Sequence, residues 1–90
     1  MLVMNDPSSE VQHVLTLIAR SIVDEPAKVR VDAEMFDNET VMRLRVAPND
    51  LPAIIGTDGN IGDSLRSLLG DMSVKYKQLF ALDIRATSAE

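Results

Sequence analysis

Gly56 and Gly59, with Thr57 and Asp58 between them, are the residues in this sequence best spaced for chemistry. That chemistry is recognition, not bond-making. A helix that stops at Gly56 and restarts after Gly59 aims fresh backbone N–H groups and a positive dipole end at one spot, which suits a phosphodiester. Glycine at both ends lets a ligand backbone approach where a Cβ would block it. Ile54, Ile55, Ile61 and Leu65 form an aliphatic lip beside the turn, some of them serving the core first and the groove second. The same two glycines also fit an ordinary helix-ending turn. Asn60 follows the turn, and Arg66 lies one residue past Leu65, where it reads either as a phosphate contact or as a solvated helix-surface charge.

Other chemistries are poorly supplied. The chain has no cysteine and a single histidine, His13, so thiolate metal sites, redox chemistry and most His-based constellations drop out. No Walker lysine follows the turn, and there is no Ser-His-Asp set, no HExxH and no carboxylate pair with a pocket. No catalytic residue, metal or cofactor is expected. Asp24-Glu25 marks a helix end, not a dyad. Aromatics are 3% of the sequence, too few for a base-stacking platform, and Tyr76 and Phe80 read as packing residues. Nine Lys and Arg stand against fourteen Asp and Glu, a net charge of −5, so no global positive field would steer a polyanion in.

The elements that hold the turn follow from hydropathy patterning. Ninety residues allow one small domain with a thin but sufficient core. Asp6-Pro7-Ser8-Ser9-Glu10 carries helix-start signals, and Val11, Val14, Leu15, Ile18 and Ile22 then recur at helical spacing until Asp24-Glu25-Pro26 ends the run. From Ala27 the period becomes two, with Val29, Val31, Ala33 and Met35 on a dry face. After a turn at Asp37-Asn38-Glu39, Met42, Leu44 and Val46 alternate again, which makes an antiparallel hairpin. Pro48-Asn49-Asp50 closes the second strand and caps a short helix, roughly Leu51 to Ile55. A second long helix starts near Asn60 with Ile61, Leu65, Leu68, Leu69, Met72 and Tyr76 as its apolar face, and Phe80, Leu82 and Ile84 trace a last strand. Arg30, Arg43, Arg45 and Arg85 fall on outward strand positions with Asp32, Glu34 and Asp83, a pattern read as salt bridges on a wet sheet face ahead of a second nucleic-acid surface.

The order is α-β-β-α-α-β, an α+β fold of two layers: a three-stranded mixed sheet with the helices packed on one face. The expected boundaries are a flexible start over 1–7, one domain over 8–86 and a tail over 87–90. The start has no basic segment followed by an apolar run, and nowhere do about 18 apolar residues run together, so a cytoplasmic protein without membrane insertion is expected.

The stretches 22–31, 44–50 and 54–66 resemble the bacterial single-KH-domain family called KhpA, and the resemblance runs from about Val11 to Ala86. A KH module holds about four unpaired nucleotides, its GXXG loop clamping their backbone. The resemblance implies a type II KH fold and a small cytoplasmic protein that binds single-stranded RNA, with RNA chaperoning, self-association, a larger KhpB (Jag-like) partner and links to cell shape coming from the family. Carried onto this sequence, the RNA site is Gly56, Thr57, Asp58 and Gly59 with Ile54, Ile55, Asn60, Ile61, Leu65 and Arg66. Family members commonly carry basic or amide residues in the turn, whereas this chain has Asp58 and, after it, Asp63. Between Asp50 and Arg66 three acids face one base. Backbone donation survives that change and electrostatic help does not, so the isolated domain is expected to bind RNA at about 10⁻⁴ M or more weakly. The alternative is a KH fold kept as a protein-interaction module, a homodimer or a complex with the larger partner, with little direct RNA binding.

Overall fold

The computed structural model describes residues 7–56 and 58–87. Six elements follow one another: α1 (Pro7–Ile22), β1 (Arg30–Phe36), β2 (Glu39–Val46), α2 (Leu51–Ile55), α3 (Asn60–Tyr76) and β3 (Leu79–Ala86), with single 3₁₀ turns at Pro26–Lys28 and Pro48–Asp50. The order α-β-β-α-α-β is the one the patterning predicts.

β2 is the central strand. It pairs antiparallel with β1, as a hairpin must, and parallel with β3, which is reached through the crossover α2–turn–α3. Met42, Leu44 and Val46 of β2 are wholly buried under the helices, joined there by Val11, Leu15 and Ala19 of α1, Ile54 of α2, Leu65 and Leu69 of α3, and Phe80 of β3. The alternate residues of β2, Val41, Arg43 and Arg45, lie on the other, wetter face. The mixed sheet covered on one side is therefore as expected.

Three details of the packing differ from the pattern. The buried line of α1 runs through Ser8, Val11, Leu15 and Ala19, while Val14, Ile18 and Ile22 are only partly covered. The small Ser8 and Ala19 complete the buried line, which counting large apolar residues does not register. On β1 only Val31 is buried; Ala33 is exposed and Met35 is 63% exposed, although both point to the helix side. Gln12 of α1 donates its Nε2 hydrogen to the Val31 carbonyl at 2.6 Å, whereas the far half of β1 stays open to solvent.

Asp50 is the third correction. It does not cap α2 with its side chain. It is buried instead, 3% exposed, and its two carboxylate oxygens accept the backbone N–H groups of Asp24 and Glu25 at 3.0 Å each. The carboxylate thus ties the chain after α1 to the segment that enters α2. At the far end of α3, Ser73 makes a comparable tie: its hydroxyl donates to the Leu69 carbonyl at 2.9 Å and accepts the Phe80 N–H at 3.0 Å. Beyond β3, the Thr87 N–H still donates to the Val46 carbonyl at 2.7 Å.

Candidate functional site

The turn between α2 and α3 is built by its glycines. Gly56 ends α2 at φ +89°, ψ 161°, with its N–H on the Pro52 carbonyl at 2.8 Å. A Cβ there would sit 2.9 Å from the Ile61 amide nitrogen and 3.3 Å from that of Asn60. Gly56 is therefore fixed twice, by a backbone angle that side chains disfavour and by the close approach of the next helix. Gly59 lies at φ +78° in the left-handed region and serves as the N-cap of α3, but a Cβ there would meet nothing within 4 Å. The Gly59 N–H donates back to the Gly56 carbonyl at 3.3 Å, which closes the turn, and the Asp63 N–H donates to the Gly59 carbonyl at 2.9 Å, which opens the helix.

Among the described residues no side chain caps the start of α3. The first amides of any helix lack an intrahelical acceptor, so Asn60, Ile61 and Gly62 present N–H groups at the positive end of a 17-residue helix. The Asn60 and Ile61 nitrogens crowd the Cβ-less face of Gly56. An anion placed at the start of α3 would meet these backbone donors.

Of the residues singled out from the sequence, Ile54 is wholly buried and Leu65 nearly so, which makes both of them core. The surface of the lip comes from Ile55, 40% exposed, and the half-buried Ile61. Asn60, Asp58 and Arg66 are exposed, and Thr57 lies outside the described residues. The Arg66 guanidinium folds back over α3: its Nη1 lies 3.3 Å from where a Gly62 Cβ would be, and the Ile55 carbonyl is 3.7 Å from the same point. Gly62 leaves this hollow, which brings the arginine to the junction of α2 and α3.

From Arg66 a shallow groove of about 250 Å³ runs between α3 and β3, lined by Arg66, Leu69, Phe80, Ala81 and Leu82. The strand beside the groove is β3. Only the adjacency of α3 and β3 reveals this, and residue spacing does not encode it. The electrostatics are milder than the count of acids along the chain. Asp50 is spent inside the fold, so Asp58 and Asp63 are the carboxylates near the turn, set against Arg66.

On the opposite face of the sheet the anticipated ion pairs form. Arg43 bonds Glu34, Arg45 reaches Asp32 at 2.8 Å, and Arg85 reaches Asp83 at 2.9 Å. The hydrogen bond that Arg43 donates to the Glu34 carboxylate raises the Arg43 pKa above its ordinary value; desolvation opposes it, and the charges of Glu34, Asp83 and Asp32 add to it. Among the described residues no cluster of His, Cys, Asp or Glu could hold a metal ion, and no helix is long and apolar enough to cross a membrane.

Comparison with known proteins agrees with this geometry. The RNA-binding protein KhpA of Treponema pallidum is 33% identical over 73 residues, which cover 81% of this chain and 91% of that protein. The KhpA of Borreliella burgdorferi is 30% identical over 81 residues, covering 90% of this chain and 98% of its own length. Among solved structures, a GDP·AlF4⁻-bound variant of Aquifex aeolicus Era superposes with a TM-score of 0.64 over 97% of this chain at 14% identity, using 34% of the Era chain. Era in complex with MgGDPNP and a fragment of 16S ribosomal RNA gives 0.56 over 84% of this chain at 15% identity, using 29% of that chain. Both likenesses are of fold. The model of the KhpA/KhpB KH domain matches residues 12–84, and this chain belongs to that family.

Proposed function

We propose that this domain binds single-stranded RNA without a catalytic step. The sugar–phosphate backbone lies across the turn between Gly56 and Gly59, on the amides that open α3. Bases lie against Ile55 and Ile61 and along the α3–β3 groove, with Arg66 at its head. The observation that carries this reading is the Cβ-less face of Gly56, crowded by the Asn60 and Ile61 amide nitrogens, in a member of a family whose relatives are named RNA-binding proteins. Asp58 and Asp63 make the binding weak for the domain alone, which leaves room for a KhpB-like partner to add positive charge, and for chaperone-like, short-lived contacts with RNA.

Gly59→Asp tests the turn. The new Cβ enters open space, and aspartate tolerates left-handed backbone better than most residues, so the fold survives at a cost of about 1–2 kcal/mol. Fluorescence anisotropy with a labelled single-stranded RNA at low salt should show binding falling at least tenfold while the thermal melt remains cooperative. Unchanged binding would remove RNA from the turn.

A second reading, a protein-interaction module, has its own support at the opposite end of the sheet. Met35, Phe36 and Leu79 are 63%, 46% and 58% exposed there, apolar surface that a partner or a second copy would cover. The same Gly59→Asp variant separates the two: assembly persists in sedimentation while RNA binding is lost if the surfaces are distinct.

A further inference from the structure

The uncovered face of the sheet is ordered by charge along its strands. Arg30, Arg45 and Arg85 are direct cross-strand partners, one from each strand, and form a single row. The next row is Asp32, Arg43 and Asp83, two acids around one base. Beyond it Glu34 and then Glu39 are the only charges of their rows. Three positive charges therefore stand at one end, and each following row carries one net negative charge.

Simple neutralisation does not account for the first row. Like charges directly opposite one another destabilise a sheet, and Arg45 faces an arginine on both sides. Arg45 and Arg85 lean back onto Asp32 and Asp83, each through a single nitrogen. Arg30 has no carboxylate partner among the described residues; its Nη1 donates to the Ala27 and Val29 carbonyls at 2.9 Å each, which holds the guanidinium in place and leaves its charge intact. A guanidinium has five N–H donors, so all three arginines keep donors free, in the fork geometry that matches phosphate.

The row also lies at the same end of the molecule as the glycine turn. Ile84, next to Arg85, points to the covered face, where its Cδ1 lies 3.8 Å from the position of a Gly62 Cβ in the first turn of α3. The arginines are on the reverse of the sheet from that contact. With strands about 4.8 Å apart, the row spans about 10 Å and ends at the open edge of β3.

We propose that Arg30, Arg45 and Arg85 form a second contact surface, which takes the phosphodiester backbone of single-stranded RNA after it leaves the Gly56–Gly59 turn around the β3 edge. The proposal rests on the RNA-binding reading and supplies positive charge that the acidic turn lacks.

The test is a salt titration with labelled single-stranded RNA between about 50 and 200 mM salt, on the full chain and on Arg30→Gln/Arg85→Gln. Loss of two phosphate contacts lowers the slope of log K against log salt by about 1.4 and weakens binding about tenfold at the low-salt end. If Arg30→Gln disturbs the fold, Arg85→Gln alone serves, since its side chain is exposed and bonded only to Asp83; a slope change of about 0.7 is then expected. An unchanged slope, with binding still abolished by Gly59→Asp, overturns the second surface and leaves the turn standing. No RNA binding by the unmodified chain overturns both. Loss of binding to phosphatidylglycerol vesicles without loss of RNA binding assigns the row to a membrane and overturns the proposal as well.

Discussion

Reversing the charge of Asp58 is the sharpest perturbation of the turn. The residue is exposed and sits immediately before the N-cap of α3, with no ion pair among the described residues. A phosphate about 6 Å from its carboxylate is repelled by about 0.7 kcal/mol at the dielectric constant of water. Asp58→Asn removes that repulsion and should tighten RNA binding about threefold, while Asp58→Lys replaces it with an equal attraction and should tighten binding about tenfold. The lysine variant adds one phosphate contact, so its salt slope should steepen by about 0.7. Lysine near a helix N-terminus costs about 0.3–1 kcal/mol of stability, so the melt should fall slightly as affinity rises. Anisotropy titrations of the three proteins at two salt concentrations measure both quantities. An Asp58→Lys affinity within twofold of the unmodified chain, with the same slope, would show that no phosphate lies near the turn.

Two further substitutions probe what holds the turn in place. Asp50→Ala removes two charge-assisted hydrogen bonds of 3.0 Å from a buried carboxylate; with Asp24 and Glu25 partly open to water, the cost should be about 2–4 kcal/mol, or roughly 10–25 °C in the thermal melt. Asp50→Asn should recover only part of this, because an amide can accept at one position but meets the second N–H with its own, and a neutral result in urea unfolding would disprove the clamp. Gly56→Ala forces a Cβ to within 2.9 Å of a backbone nitrogen at φ +89° and should cost at least 2 kcal/mol by the same assay, whereas an alanine at Gly59 meets only the backbone penalty of about 1–2 kcal/mol; equal costs would mean that the close approach of α3 to Gly56 is wrong.

The division between what the sequence reveals and what it conceals follows the range of the interactions. Element order and strand faces depend on neighbours a few residues apart, so the periods of 3.6 and 2 expose them. The arginine row turns on one residue: the patterning places Glu39 in the turn with Asp37 and Asn38, whereas Glu39 opens β2 opposite Phe36, and it is this register that brings Arg30 opposite Arg45. The third member is not readable, because the register of β3 is set by how α3 packs, not by a turn. Ala33 and Met35 show the same limit, since alternation tells which side a residue faces but not whether a helix reaches it. Asp50 hides for a related reason. Its partners lie 25 and 26 residues away, and its local setting, Pro-Asn-Asp before a helix, imitates a cap.

A net charge of −5 and an RNA-binding reading are reconciled by distance. At physiological ionic strength the Debye length is about 8 Å. Successive rows on one sheet face are two residues, about 6.7 Å, apart, so a phosphate on the proposed arginine row feels that row fully and the mixed second row only in part. The acids at Glu34 and Glu39 lie about 13 and 20 Å along the strands, beyond effective reach. The same reasoning applies at the turn, where the Asp50 carboxylate is buried against backbone N–H groups and only Asp58 and Asp63 remain near a ligand. Local order thus governs contact, and total charge governs approach. RNA meets a chain that repels it at long range, so association is slow and unsteered, and such affinity as exists comes from contacts made after the strand has arrived.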